Sequence, residues 1–560
     1  MRPAVLEIRG EGMTLADFLS VARDPFRETS LDPAAASRVA AARAWVEEIT
    51  RTGPQGIRAA IYGCNTGFGI NREIAIPEGD LKRLSRNLLL SHASGVGPDF
   101  PDDVVRGAML LRANALARGL SGCRVEIVTT LLEMLKKRVT PCVPIYGSVG
   151  GSGDLAPLSH MAIVLSLDPD EAAGVKGDYD SGRARLRENI LPGAEAMARA
   201  GIPRLLLLEK EALALNNGTQ FITSLTALGC SDASRVASAS TVAAAMTLEA
   251  IRGNADFADE RVNAARGFPG QVEVAATIRR VIAGSRLVFD HAADRDAYMK
   301  FLEEKRAGRA PAPFPKEGIH SPYSIRTSPQ VMGASLDAIG FIRGTVEREM
   351  NSVNDNPLVF VDAPRDNKSF SAGNFHGAPV AMAADFLKIA VCEIGSSSER
   401  RAALLLDSKF NRGLPDFLIE DGGLNSGLMV PQYLAAGLVA ENRVLAHPAS
   451  VDSIPTGNGF EDHVSMGTHG ARQAREIVAN VATIVAVELL CVFQALHLRE
   501  KGMAAAGEKF VPGRGTRAAL DAIRALGVEP YATDRSPAPD IDRLRAGILD
   551  GRLTAEALIG

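Results

Sequence analysis

One stretch of the chain places a serine between glycines, in the segment Gly147–Asp154 (GSVGGSGD). Glycine lacks the Cβ that forbids tight backbone conformations, so the amide nitrogen of Gly153 can approach the carbonyl carbon of Gly151. Cyclisation with loss of two waters, one of them from Ser152, would leave an exocyclic methylidene on an imidazolone ring, which is a strong electrophile. The alternatives are a plain glycine turn and a phosphate-binding loop. A Walker loop ends in Gly-Lys-Ser/Thr, whereas Asp154 follows here and would repel phosphate.

The longer segment Gly147–His160 (GSVGGSGDLAPLSH) resembles the signature of the histidine and aromatic amino-acid ammonia-lyases and aminomutases. The resemblance extends over most of the chain, from about Tyr62 to about His469. In that family an Ala-Ser-Gly triad forms the methylidene-imidazolone (MIO) prosthetic group without an external cofactor. Gly151 replaces the alanine, which removes a methyl group beside the ring and leaves cyclisation possible. The resemblance therefore implies an MIO group made from Gly151-Ser152-Gly153.

Bulk properties exclude several classes of partner and location. The chain has 560 residues and a formal net charge of −4, which gives no reason to expect nucleic acid or an anionic membrane as partner. Six cysteines without a CxxC pair argue against disulfides and zinc, and the N-terminus lacks the apolar run of a signal peptide. The most apolar stretch, Val481 to Leu490, contains Glu488 and is shorter than the ~20 residues of a membrane span. We expect a cytoplasmic protein, and the histidine spacing predicts no metal site.

The pattern along the chain predicts a mainly α fold. Ala- and Leu-rich segments occur near residues 208–228, 231–252, 270–284, 329–351, 376–406, 428–445 and 469–499, and strand-like alternation is nearly absent. Such long segments predict a bundle of long helices. We predict an N-terminal region over 1–205, the bundle over 206–510, and a linker with a helical tail over 511–560. The family resemblance implies the aspartase/fumarase-like fold, assembled as a homotetramer whose active sites take residues from more than one subunit.

Eliminating ammonia from an α-amino acid requires an electrophile, a base for the β-proton and a clamp for the carboxylate. The segment Tyr62–Gly69 (YGCNTGFG) resembles the family's YGxNTGFG loop and implies that Tyr62 is the base. An isolated tyrosine is more often a packing residue, and its ordinary pKa of about 10 must be tuned for this role. Pro322-Tyr323-Ser324-Ile325-Arg326 resembles PYSLR, which implies Arg326 as the carboxylate clamp and Tyr323 beside the ring.

Three further motifs supply candidate substrate contacts. Leu215–Gln220 (LNNGTQ) resembles LxNGTQ and implies that Asn217 contacts the ring oxygen or the carboxylate, although Asn216 departs from the usual apolar residue. Two other matching segments, NSVNDNP and GNFHG, imply that Asn356 and Phe375 line the site.

The pair Ser91-His92 is informative about the substrate side chain. At this position, family members that act on phenylalanine have a pair like Phe-Leu and those that act on tyrosine have a pair like His-Leu. The pair Ser91-His92 resembles the Ser-His of histidine ammonia-lyases. An imidazole needs hydrogen-bond partners, because an unpaired buried nitrogen costs about 1–3 kcal/mol. Glu441 matches the family's glutamate near the substrate amine or imidazole, although an unplaced glutamate is ordinarily an exposed charge.

Some positions depart from an ordinary histidine ammonia-lyase. His320 precedes the PYSLR-like segment in place of Gln, Ala378 replaces the Glu of GEP, and Phe460 replaces the Gln of NQEDHVSM. The predicted function is therefore MIO-dependent elimination of ammonia from L-histidine or a close relative, giving trans-urocanate. The alternative is an aminomutase that converts histidine, phenylalanine or tyrosine to the β-amino acid. A scaffold without chemistry would have lost the triad, the Tyr62 loop and the Arg326 motif, and all three are intact.

Overall fold

The structure, a computed structural model, describes residues 5–53, 56–57, 59–309, 316 and 318–560, and helices dominate them. The longest helices span 23 to 39 residues. The α-helices in these residues are α1 (Leu15–Ala22), α2 (Pro33–Thr50), α3 (Leu81–His92), α4 (Asp102–Ala117), α5 (Val125–Lys137), α6 (Leu155–Leu165), α7 (Pro169–Ala172), α8 (Gly193–Arg199), α9 (Glu211–Asn216), α10 (Gln220–Ala250), α11 (Glu260–Ala264), α12 (Pro269–Val281), α13 (Arg295–Arg306), α14 (Tyr323–Arg326), α15 (Ser328–Met350), α16 (Ala378–Leu406), α17 (Met429–Leu445), α18 (Gly467–Ala505), α19 (Arg514–Ala525), α20 (Ala538–Leu549) and α21 (Ala555–Ile559).

The strands are short and form small sheets. They are β1 (Leu6–Ile8), β2 (Thr29–Leu31), β3 (Thr52–Gly53), β4 (Gly56–Ile57), β5 (Val96–Asp99), β6 (Val139–Pro141), β7 (Pro144–Tyr146), β8 (Ser166–Leu167), β9 (Arg183–Leu186), β10 (Asn189–Pro192), β11 (Leu205–Leu206), β12 (Leu358–Val359) and β13 (Ser369–Phe370). Strands β10, β9 and β6 form an antiparallel sheet in that order. The pairs β1–β2 and β8–β11 are parallel, whereas β3–β4, β5–β7 and β12–β13 are antiparallel.

The mainly α fold predicted from the sequence is confirmed. At the N-terminus β1 is followed by α1, where Thr14 and Asp17 form a reciprocal capping box that satisfies two backbone N–H groups. The first of the predicted segments, near 208–228, contains the short helix α9 and the start of α10, and α10 then continues from Gln220 through most of the second segment, near 231–252. In the region 511–560, predicted as a linker with a helical tail, the linker part up to residue 538 contains the twelve-residue helix α19.

The chain folds as two compact units, each assembled from distant segments. The first unit comprises Met1–Leu228, Arg343–Asp385 and Pro448–Arg472. The second comprises Gly229–Ile342, Phe386–His447 and Gln473–Gly560. The sequential division at residues 205 and 510 remains a prediction.

The second unit is held together by a buried polar centre. Arg401 and Glu488 are fully buried, and Arg401 Nε donates to Glu488 Oε1 at 2.6 Å. Ser240 Oγ accepts from the same guanidinium at 2.9 Å, and Ser398 Oγ donates to Glu488 Oε2 at 2.6 Å. A buried charge is tolerated only when it is paired and hydrogen-bonded, so this cluster fixes α10, α16 and α18 in register.

Helix α18 is long and apolar enough, by length and composition, to cross a membrane. Its most apolar window is 78% buried within the protein, which is also the behaviour of a core helix. Among the described residues it is the only helix of that kind. The predicted core helix near residues 481–490 therefore lies inside α18.

Candidate active site

The first unit contains a cavity of about 730 Å³ in which most of the predicted site residues meet. Six segments of the chain contribute: the Tyr62 loop with the residues that follow it, the end of α3, the glycine-rich turn, the end of α9, and the segments around residues 356–376 and 457–463. The predicted residues that line the cavity are Tyr62, His92, Gly151, Ser152, Asn217, Asn356 and Phe375.

The glycine-rich turn is fixed by the fully buried carboxylate of Asp154. Its Oδ2 accepts from the backbone nitrogens of Phe221 and Ile222 at 2.9 Å each, in the first turn of α10. Its Oδ1 accepts from the hydroxyls of Ser148 and Thr468. Burial raises the pKa of Asp154 to about 6, and these hydrogen bonds oppose the rise. The carboxylate thus joins the turn to the start of a long helix.

The glycines of the triad lie where a side chain does not fit. Gly153 has a φ of +73°, and a Cβ there would lie 2.2 Å from the carbonyl oxygen of Gly218. Asp154 N donates to that same oxygen at 2.6 Å. A Cβ on Gly151 would lie 2.6 Å from Cγ1 of the buried Val464, so this valine occupies the place of the missing methyl group.

Ser152 is held at both of its oxygens. Its Oγ donates to Glu461 Oε1 at 2.6 Å, and Thr456 Oγ1 donates to Glu461 Oε2 at 2.7 Å. Its carbonyl oxygen accepts from Asn217 Nδ2 at 2.9 Å, and the buried Arg112 donates to the Asn217 carbonyl at 2.7 Å. An N–H donor at the carbonyl that would become the ring oxygen makes a conjugated ring more electrophilic. The residues present therefore fit an MIO group.

Tyr62 lies in the loop that precedes a 3-10 helix at Gly69–Asn71. Its hydroxyl oxygen accepts from Gly69 N at 3.2 Å, and its ring packs edge-on against Phe68 at a centroid distance of 6.2 Å. Burial raises the pKa of Tyr62, whereas the Gly69 N–H and the charge of Arg72 lower it. The phenol is accordingly protonated at neutral pH and must lose its proton before it can act as a base.

His92 is the last residue of α3 and presents a neutral imidazole. Ser91 Oγ donates to the carbonyl of Leu88 at 3.1 Å, and His92 Nδ1 lies 2.9 Å from Ser91 Oγ. Because the serine proton is engaged, Ser91 Oγ can accept from Nδ1–H, and this tautomer leaves Nε2 as an acceptor. Burial lowers the pKa of His92, which favours the neutral ring.

Asn356 is fixed by a buried ion pair. Lys210 Nζ donates to Asp355 Oδ2 at 2.9 Å, both side chains are fully buried, and Asp355 Oδ1 accepts from Asn356 N at 2.7 Å. Asn356 Oδ1 in turn accepts from Ala372 N at 2.7 Å, which holds the segment that carries Phe375. These contacts place an amide and an aromatic ring on the cavity wall.

Three predicted residues belong to the second unit. Among the residues that the structure describes, Tyr323, Arg326 and Glu441 are not part of the lining of this cavity. Tyr323 is 70% exposed, and the Arg326 guanidinium lies 4.6 Å from the centre of its ring. Glu441 is exposed on α17. Their predicted roles remain predictions.

The prediction from motifs missed two features of the cavity. Glu461 is a glutamate beside Ser152, and it lies in the segment Gly459–Met466 that resembles NQEDHVSM. Arg72 and Phe460 also line the cavity, with the guanidinium 4.6 Å from the ring centre. The NQEDHVSM-like motif could have identified Glu461 as a site residue. Nothing in the local spacing indicates the Arg72–Phe460 contact.

Within the described ranges, no group of three or more His, Cys, Asp or Glu side chains is arranged to hold a metal ion. The cavity lining includes the phenol of Tyr62, the imidazole of His92, the carboxylate of Glu461 and the carboxamides of Asn217 and Asn356, together with Ser152. These side chains can bind an amine and an aromatic side chain, and they can accept protons from a bound substrate and donate protons to it.

Comparison with known proteins agrees with this chemistry. The aromatic amino acid lyase family profile matches residues 13–525. A histidine ammonia-lyase from Caldanaerobacter subterraneus subsp. tengcongensis is 42% identical over 556 residues, covering 99% of each chain. The crystal structure of a histidine ammonia-lyase from Trypanosoma cruzi matches with a TM-score of 0.84 and 32% identity, covering 100% of this chain and 96% of that one. A tyrosine aminomutase from Streptomyces globisporus matches with a TM-score of 0.85 and 32% identity, covering 98% of each chain. The chain belongs to the aromatic amino acid lyase family.

Proposed function

We propose that the protein is an MIO-dependent ammonia-lyase that converts L-histidine to trans-urocanate and ammonia. The observation that carries the proposal is the position of Ser152, held between Asn217 and Glu461 in a cavity that also contains the neutral imidazole of His92. Relatives named histidine ammonia-lyase, at 40 to 46% identity, support the choice of substrate.

Gly151, Ser152 and Gly153 would form the MIO group, which supplies an electrophilic carbon for the substrate amine. Asn217 Nδ2 donates to the carbonyl oxygen of Ser152 and stabilises negative charge there, as a preorganised donor does in an oxyanion hole. Glu461 Oε1 lies at the hydroxyl that is lost, so after that loss it can accept a proton from the amine.

The substrate side chain and the β-proton are handled by two other residues. His92 Nε2 accepts a hydrogen bond from the substrate imidazole N–H, which an apolar pocket could not provide. Tyr62 removes the β-proton in its ionised form, and the Gly69 N–H stabilises that form. Asn356 and Phe375 fix the orientation of the substrate on the cavity wall.

The substrate carboxylate would be bound by a second subunit. Arg326 Nε is buried and has no hydrogen-bond partner among the described residues, and the neighbouring Tyr323 ring is mostly exposed. A planar guanidinium binds a carboxylate with two parallel hydrogen bonds. We therefore place Tyr323 and Arg326, and the exposed Glu441, at an active site shared within a cytoplasmic homotetramer.

The second candidate is an aminomutase that returns ammonia to the β-carbon. The match to the tyrosine aminomutase of Streptomyces globisporus favours it, as does Phe460, which replaces a polar residue and contacts Arg72, three residues after the Tyr62 loop. A loop that stays closed longer retains ammonia longer. The two reactions share the same residues up to that point.

Incubation with separate amino acids decides between these functions. The purified protein is incubated separately with L-histidine, L-phenylalanine and L-tyrosine. The products are then separated and their masses are determined by mass spectrometry. The proposal predicts urocanate and an equal amount of ammonia from histidine, with slower turnover of the other two. A product of unchanged mass from any of them would establish the aminomutase, and Ser152→Ala is the control for background reaction.

A further inference from the structure

We propose that Glu461 also builds the electrophile, by transferring the proton that lets Ser152 lose its hydroxyl group as water. This inference rests on the proposed function, because it concerns how the MIO group forms from Gly151-Ser152-Gly153. Glu461 would act in this step once, before the first turnover.

The geometry of the unprocessed serine carries the inference. Ser152 Oγ donates to Glu461 Oε1 at 2.6 Å, which is the length of a strong, charge-assisted O–H···O bond. Thr456 Oγ1 holds the other carboxylate oxygen at 2.7 Å, and the backbones of Thr456 and Glu461 are hydrogen-bonded to each other in both directions. The carboxylate is therefore aimed at the leaving hydroxyl by a rigid turn.

The carboxylate of Asp154, in the glycine-rich turn, already has its hydrogen-bond partners. Asp154 accepts two backbone N–H groups and two hydroxyl groups, so its oxygens are occupied by donors from α10, Ser148 and Thr468. Glu461, in contrast, has one oxygen on Thr456 and the other on the hydroxyl of Ser152 itself. Glu461 is the carboxylate placed to move a proton at Ser152.

The reaction balances without any added reagent. The Gly153 nitrogen first bonds to the Gly151 carbonyl carbon, and the former carbonyl oxygen leaves as the first water with the N–H protons of Gly153 and Ser152. The Cα–H of Ser152 then lies between the imine nitrogen and the carbonyl carbon of the ring and becomes acidic. Glu461 takes this proton and delivers it to Oγ. The Cβ–O bond breaks, the electron pair forms the Cα=Cβ bond, the second water leaves, and Glu461 is again a carboxylate.

Intact-mass measurement tests this step without any activity assay. Wild-type protein, Glu461→Gln and Glu461→Asp are made by cell-free synthesis, and the mass of the full-length subunit is followed with time. Glu188→Gln is the matched control, because Glu188 is exposed and does not line the cavity. Circular dichroism and gel filtration check that each variant folds and assembles as the wild type does.

The wild type and Glu188→Gln should become lighter by two waters. Glu461→Gln should lose the first water normally and the second about 100-fold more slowly, as expected when a proton-transfer group is removed, so that a species lighter by one water accumulates. Glu461→Asp, which keeps the carboxylate, should lose the second water at an intermediate rate.

Two results would overturn the inference. One is loss of both waters by Glu461→Gln at the wild-type rate, and the other is loss of neither water by a folded Glu461→Gln subunit. If the wild type itself never loses two waters, the proposed function fails, so the two failures are distinguishable.

Discussion

Replacing Asp154 by alanine and by asparagine separates the hydrogen bonds of this buried side chain from its charge. In Asp154→Ala, the backbone N–H groups of Phe221 and Ile222 lose their acceptor. An unsatisfied buried donor costs about 1–3 kcal/mol, so these two groups alone should lower the free energy of unfolding by about 2–6 kcal/mol. In Asp154→Asn, the amide oxygen can accept from both groups and the NH₂ can donate to the hydroxyls of Ser148 and Thr468. The asparagine variant should keep the turn folded.

The charge of Asp154 adds a pH dependence with a definite sign. Folding raises its pKa from 3.8 to about 6, so the folded state binds the proton more tightly than the unfolded state. The resulting stabilisation is fully present below about pH 4 and is lost as the pH rises through 6, and the total loss is about 3 kcal/mol. Between pH 7 and pH 5 the wild type should regain about 1 kcal/mol of it relative to Asp154→Asn, which does not titrate.

Urea unfolding followed by circular dichroism at pH 5, 6 and 7 measures both effects. The difference between wild type and Asp154→Asn isolates Asp154, because all other titrating groups are common to the two proteins. Asp178→Asn, at an exposed position, is the control and should leave the pH dependence unchanged. A difference between wild type and Asp154→Asn that stays constant from pH 5 to 7 would refute the raised pKa of Asp154. An Asp154→Ala variant as stable as Asp154→Asn would refute the contribution of the two backbone hydrogen bonds.

Three further predictions concern the cavity. Asn217→Ala removes the donor to the Ser152 carbonyl and should lower kcat by about 100- to 1,000-fold, and an unchanged kcat would exclude an oxyanion role for this amide. Arg72→Ala and Phe460→Ala each remove the cation–π contact of 4.6 Å between these partly exposed side chains, which is worth about 0.5–1 kcal/mol. A double-mutant cycle on kcat/KM should therefore show about 2- to 5-fold coupling between the two substitutions rather than additive effects. Since burial raises the pKa of Tyr62, kcat should rise about tenfold per pH unit above neutrality, and a flat wild-type profile would contradict its role as base.

Local motifs predicted the parts of the site that lie close together in sequence. The triad around Ser152 requires glycines because of close backbone approaches, and those approaches leave a recognisable pattern of residues. The Ser91-His92 pair at the end of α3 likewise acts through neighbours in the chain. The long helices were predictable for a similar reason, since apolar and small residues accumulate along their whole length.

Contacts between distant segments were not predictable from one sequence. Glu461 meets Ser152 across 309 residues, and no periodicity or spacing relates the two positions. The start of α10 was misplaced because Asn217 has an extended conformation that reflects its hydrogen bonds to Ser152 and Arg112, not its own propensity. Helix α10 runs through Gly229 without a break, because a glycine costs only about 1 kcal/mol in a helix and the residues around it are buried.

The decisive measurement is the mass of the peptide that carries residues 151–153. We predict that this peptide, isolated from the wild-type protein by proteolysis, is lighter by two waters than its sequence requires, and that borohydride adds to it and abolishes turnover of L-histidine. A peptide of full sequence mass, or turnover that survives borohydride, would contradict the claim that this turn becomes the electrophile.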